Sequence, residues 1–186
     1  MKSNGFTLIE ILVSITILMI LITVGIPSFD DFIVQMRVDN EISSINRLLN
    51  TARVSAISNS LPTTVCPLND DNQCHNQWHK SISVFIDTNN NKIFEANKGE
   101  IILTSKDAIH HQDKLQYGTS RIGLTYGNDG HLNGWGQNAT FSYCPHNHLN
   151  KSRGVVVHLS GRAYKSKQDK SSGRDKTRSG KYIVCH

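Results

Sequence analysis

The sequence predicts an α+β chain in which one long N-terminal helix packs on a mainly antiparallel β-sheet. Three observations carry that expectation. Residues 6–26 are uncharged apart from a single carboxylate, Glu10. An amphipathic stripe continues to about residue 59. Beyond Pro62, short β-branched and aromatic segments alternate with Asn, Asp and Gly clusters, the pattern of strands closed by turns.

The apolar run comes first. At about 1.5 Å per residue, residues 6–26 span roughly 30 Å as a helix, enough to cross a bilayer. A secretory signal peptide would have a shorter apolar run and small residues before its cleavage site, and no A-x-A follows here. Glu10 needs a partner, because a carboxylate in a membrane helix costs about 3 kcal/mol on insertion scales. Gly25 and Pro27 then predict a kink or loosening, since proline removes a backbone donor and crowds the preceding turn. After it Phe29, Phe32, Met36, Val38, Ile42, Ile45, Leu49, Ala52, Ala56 and Ile57 recur at spacings of mostly three and four. That stripe is a core face, and the helix it marks ends before Pro62.

Strands are expected at 63–66, 82–87, 101–104, 122–126, 139–144 and 154–159. Residues 87–95 place oxygen side chains at alternating positions, as a calcium loop does. Lys92 and Lys98 stand where an EF-hand needs glycine and the bidentate glutamate, so a turn is the better reading. The nine histidines form no recognisable ligand or nucleophile pattern, and G-x-S-x-G and H-E-x-x-H are both absent. Neither an enzyme, a cofactor nor a metal is expected.

Four cysteines, Cys66, Cys74, Cys144 and Cys185, allow three pairings. Cys66–Cys74 and Cys144–Cys185 each bracket a loop-like stretch and are the pairing expected. Zinc is the competing reading, but no C-x₂-C occurs.

Charge is the remaining signal. The chain carries a formal +5, yet residues 151–186 hold ten Lys and Arg against Asp169 and Asp175, leaving −3 on the rest. A segment that reverses the sign of its own protein points to a polyanionic partner. Its polar, Gly-containing composition predicts a flexible loop over 161–186, tethered if Cys144 pairs with Cys185. Arg162, Lys165, Lys167, Lys170, Arg174, Lys176, Arg178 and Lys181 are the candidate phosphate contacts. Arg162 and Arg174 are suited to forking onto phosphate oxygens, and Tyr164 and Tyr182 to stacking on bases.

The residues Gly5-Phe6-Thr7-Leu8-Ile9-Glu10 resemble the processing motif of type IV prepilins. The resemblance implies cleavage after Gly5 by a prepilin peptidase and methylation of the new N-terminal Phe6. It also implies that Glu10 pairs with the terminal amine of a neighbouring pilin subunit. Further on, Leu61-Pro62-Thr63-Thr64-Val65-Cys66, Val84-Phe85-Ile86-Asp87 and Ser160-Gly161-Arg162 occur in an order similar to the FimT/FimU and GspH minor pilins and pseudopilins. The expected fold is therefore type IV pilin-like. Residues 1–5 would be a leader, 6–27 the membrane and assembly half of the helix, and 28–186 the globular domain. Within that domain the expectation is helix 28–59, sheet 63–160 and basic loop 161–186.

The resemblance also implies a place: inner membrane, one pass, globular domain in the periplasm, then the filament or its tip. FimT members of natural transformation are associated with DNA binding through a C-terminal Gly-Arg-x-Arg motif. Gly161-Arg162-Ala163-Tyr164 keeps its first half, with tyrosine at the second arginine, and Gly173-Arg174-Asp175-Lys176 is a looser match. Two functions follow as expectations. The first is a FimT-like minor pilin that binds extracellular DNA through the basic segment. The second is a structural minor pilin or type II secretion pseudopilin that primes or caps a filament.

Overall fold

The computed structural model describes residues 5–134 and 136–185, the side chains of 24–28 excepted. Among the described residues one α-helix, α1 (Leu8–Asn59), is followed by ten strands, with 3-10 turns at Ala96–Lys98 and Leu149–Lys151. These are β1 (Thr63–Cys66), β2 (Ile82–Ile86), β3 (Ile102–Lys106), β4 (Lys114–Tyr117), β5 (Leu124–Tyr126), β6 (Ala139–Cys144), β7 (Arg153–Val157), β8 (Ala163–Lys165), β9 (Lys167–Gln168) and β10 (Asp175–Lys176). The chain divides into two compact units, Met1–Arg37 and Val38–His186.

In the first unit α1 starts at a capping box that sequence reading missed. The backbone N–H and hydroxyl of Thr7 each donate to Glu10 Oε2 at 3.1 Å, and Glu10 N–H donates back to the Thr7 hydroxyl at 3.3 Å. Two of the helix's orphan donors are thereby satisfied. Phe6, Leu8, Ile9 and the apolar residues after them are exposed. The two expected halves of the N-terminal helix, 6–27 and 28–59, belong to one element, and α1 runs through both 25 and 27. Proline removes only one i→i−4 bond, and the turns on either side retain theirs. The surroundings of Gly25 and Pro27 lie outside what is described, as do leader residues 1–4. So do the side chains at the end of the expected 6–27 span, from residue 24 on. Among the described residues no helix is long and apolar enough to cross a membrane.

Of the stripe expected to be a core face, Val38, Ile42, Ile45, Leu49, Ala52 and Ala56 are buried in the second unit, whereas Phe29, Phe32, Met36 and Ile57 are exposed, which corrects the expectation for those four. Two antiparallel four-stranded sheets complete the core, in the orders β3-β2-β1-β5 and β4-β6-β7-β8. Trp78 packs edge-on against Tyr117 and Phe141, with ring centroids 5.3 and 5.0 Å away, and its indole N–H donates to the Arg121 carbonyl. Buried Thr64 bridges β1 to its neighbours through 2.7 Å hydrogen bonds to Asp87 Oδ2 and to the Thr125 hydroxyl.

The six expected strands are present with boundaries shifted by at most two residues; β4, β8, β9 and β10 were not expected. Residues 87–95 are a turn whose carboxylates are spoken for. Asp87 accepts the backbone N–H groups of Asn91 and Lys92, and Glu100 accepts those of Thr88 and Glu95. Cys66 is bonded to Cys74, and Cys144 to Cys185.

Candidate nucleic-acid interface

The basic segment is folded, which corrects the flexible loop expected over 161–186. It begins as an edge strand: β8 pairs with β7, setting Tyr164 opposite Val156 and Lys165 opposite Val155. The chain then forms a two-stranded ribbon with Lys167 opposite Lys176 and Gln168 opposite Asp175. One tight turn closes it, with Asp169 N–H donating to the Arg174 carbonyl and Gly173 N–H to the Asp169 carbonyl. A second turn, with Thr177 N–H on the Lys181 carbonyl, folds the chain back so that Tyr182 bridges to Lys176.

Three anchors hold this ribbon. Ile183 is buried and its N–H donates to the Asp175 carbonyl. Asp175, 5% exposed, accepts the Ser166 hydroxyl and lies 3.7 Å from Arg153 Nε, while the Arg153 guanidinium also donates to Asp39 on α1. Cys185 is bonded to Cys144 at the end of β6. Composition concealed this order, because the anchors are isolated residues and the strands are too short for periodicity.

The glycine of the Gly161-Arg162 pair has a structural reason. Its φ is +73°, and a Cβ there would stand 1.8 Å from the Gly130 carbonyl oxygen. Arg53 of α1 ties the same two loops together through the carbonyls of Gly130 and Ser160. Only Arg162 of the pair is free to face solvent.

The eight candidate cations divide by environment. Lys165, Lys167, Lys176 and Arg178 line one groove of about 240 Å³ with Gln168, Asp169 and Thr177. Arg162, Lys170 and Lys181 are exposed elsewhere. Arg174 lies 4.7 Å from the Tyr182 ring centroid, and Lys176 4.5 Å. Arg178 lies 4.2 Å from that of Tyr164. The two tyrosines expected to stack on bases therefore already carry cations. Lys165 donates to Ser43 on α1 at 2.9 Å, and Lys176 to Asp169 at 2.9 Å.

The bonds from Lys176, Ser171 and Ser172 hold the Asp169 carboxyl well below the usual range. Asp169 in turn raises the Lys176 ammonium above its ordinary value, so Lys176 is charged throughout the physiological range. The hydroxyl of Ser172, then Lys176, lowers the Tyr182 phenol. The arrangement can hold an anion by charge and forked donors. None of the described histidines is buried, and no three metal-ligating side chains gather among the described residues.

A long N-terminal helix on antiparallel sheets, behind a Gly5-Phe6 start, defines the type IV pilin-like class. Two crystal forms of the type IV minor pilin FimU of Pseudomonas aeruginosa share the fold. One is 17% identical with a TM-score of 0.58, covering 78% of this chain and 96% of FimU. The other is 18% identical with a TM-score of 0.54, covering 74% and 96%. The minor pseudopilin EpsH of the Vibrio cholerae type 2 secretion system is 12% identical, with a TM-score of 0.48 over 69% of this chain and 95% of EpsH. No curated protein matches the chain. The prokaryotic N-terminal methylation motif matches residues 1–26. The family described as type II transport protein GspH matches residues 41–161, and the chain belongs to that family.

Proposed function

We propose that this chain is a minor type IV pilin that binds DNA by its phosphate backbone through the C-terminal ribbon during DNA uptake. Residues 1–5 are its leader, removed by a prepilin peptidase. Residues 6–27 hold it in the inner membrane and then pack in the filament, where Glu10 meets the Phe6 amine of a neighbouring subunit. The remainder, 28–186, faces the periplasm and later the cell exterior. The observation that carries the DNA reading is the groove in which Lys165, Lys167, Lys176 and Arg178 converge against one carboxylate, Asp169. Four cations held on a braced ribbon contact a polyanion with less ordering cost than four on a coil.

The test is a titration of the chain, in neutral detergent, with a mixed-sequence DNA duplex at several salt concentrations. We expect sequence-indifferent binding whose log affinity falls linearly with log salt, with a slope of several phosphate contacts at about 0.9 each. Gln at Lys165, Lys167, Lys176 and Arg178 together should flatten that slope. Absence of binding at low salt would leave the second reading, a structural minor pilin or pseudopilin that primes or caps a filament. The internal partners of Lys165, Lys176 and Arg178 favour that reading.

A further inference from the structure

The ribbon places like charges where strand pairing normally avoids them. Lys167 and Lys176 are direct cross-strand partners, an arrangement that is destabilising unless an anion lies between or beside them. Lys165, two residues before Lys167, and Arg178, two residues after Lys176, line the same groove. The anion present is internal. Asp169 Oδ2 accepts three donors at once, Lys176 Nζ at 2.9 Å and the hydroxyls of Ser171 and Ser172 at 2.8 Å each. Three donors converging on one oxygen is how a phosphate oxygen is held. The turn that presents this carboxylate is short and half-exposed, tied to the ribbon by Asp169 N–H on Arg174 and Gly173 N–H on Asp169.

We propose that Asp169 is a built-in competitor: its carboxylate occupies one corner of the four-cation groove, and a phosphodiester must displace it to gain Lys176. This deepens the DNA-binding reading above and rests on it. The groove is then self-limiting. Weak or singly charged anions meet a Lys176 already satisfied. A polyanion that engages Lys165, Lys167 and Arg178 together holds enough to turn the carboxylate out. Ser171 and Ser172 lose their acceptor in that step and are free to donate to the incoming phosphate.

The experiment uses the full chain in neutral detergent, with a mixed-sequence 20-base-pair duplex followed by fluorescence anisotropy across a salt series. Asp169→Asn should bind about two- to fivefold more tightly at fixed salt, the scale of an exposed ion pair. Its log–log salt slope should match that of the wild type, because the displaced carboxylate leaves Lys176 on the same phosphate in both complexes. The double variant Asp169→Asn with Lys176→Gln should lose that gain. A second readout covers the case in which the turn loosens in the variant. In the wild type, duplex addition should shift the amide resonances of Ser171 and Ser172, which carry no charge of their own. Equal affinity for wild type and Asp169→Asn, with those resonances unmoved, overturns the competitor while leaving DNA binding intact. No binding by either protein at low salt removes the DNA reading itself, and the competitor with it.

Discussion

Asp175, the buried carboxylate of the C-terminal ribbon, stands 3.7 Å from Arg153 Nε on β7. The same guanidinium donates to Asp39 of α1, so one arginine joins helix, sheet and ribbon. The most cationic stretch of the chain is thus fixed in place by an acid. The ribbon's geometry, and with it the groove, depends on that contact.

Replacing Asp175 by Ala should therefore act on the ribbon more than on the core. Arg153 is 28% exposed and keeps Asp39, so the loss should be about 2 kcal/mol, below that of a fully buried pair. For a domain of this size that lowers Tm by roughly 4–8 °C. Hydrogen exchange should accelerate across 163–183, while β1 and β2 remain protected. Uniform acceleration through both sheets would refute a local role.

Gly161 and Arg162 should separate cleanly. Gly161→Ala sets a Cβ against the Gly130 carbonyl at positive φ, and should cost more than about 2 kcal/mol in chemical denaturation. Arg162→Gln should leave the midpoint within about 0.5 kcal/mol, as exposed substitutions do. It should reduce the salt slope of duplex binding by about one contact.

Tyr117 and Tyr126 predict alkaline instability. Burial is the main cause raising both phenols above their ordinary value of 10.0. A group whose folded pKa is raised contributes stability that is complete below the unfolded value and lost as pH rises through the folded one. Stability should fall progressively above pH 10, with these two phenolates appearing near 295 nm only as the chain unfolds. The Tyr126 hydroxyl is buried without a hydrogen-bond partner among the described residues. Tyr126→Phe should hence stabilise by about 1 kcal/mol at neutral pH and blunt the alkaline loss.

The two roles of Glu10 can be told apart in filaments. Thr7→Ala removes the capping hydroxyl, at about 1 kcal/mol of local helix stability, and should leave incorporation into sheared filaments near wild type. Glu10→Gln can still accept the Thr7 amide but lacks charge. Incorporation should fall sharply if Glu10 pairs with a neighbour's amine, and persist if capping is its whole purpose.

Much of the fold was legible because its signals are periodic. The apolar stripe from Val38 to Ala56 faces the core, and β1 and β6 begin and end where their sequence says, since β-branched runs between turn residues leave little freedom. The ribbon was illegible for a physical reason. Its order comes from Asp175, Ile183 and Cys185, three residues separated by polar chain, each meeting a partner distant in sequence. The site was half legible: the eight cations were visible as charge, but not that four converge and the others scatter. Asp169 looked like dilution of that charge, and its hydrogen bonds show it holding Lys176. Thr7 was overlooked beside Glu10 because the carboxylate was read as a membrane residue rather than as the third residue of a helix.

The Cys144–Cys185 bond closes a loop of chain between β6 and the far side of the ribbon. Mechanically, this gives the groove two load paths. Tension from a ligand held there enters β8 and its hydrogen bonds to β7 on one side, and a covalent link to β6 on the other. A ligand seated in the groove would therefore pull against two separate attachments of the ribbon to the second sheet, one hydrogen-bonded and one covalent.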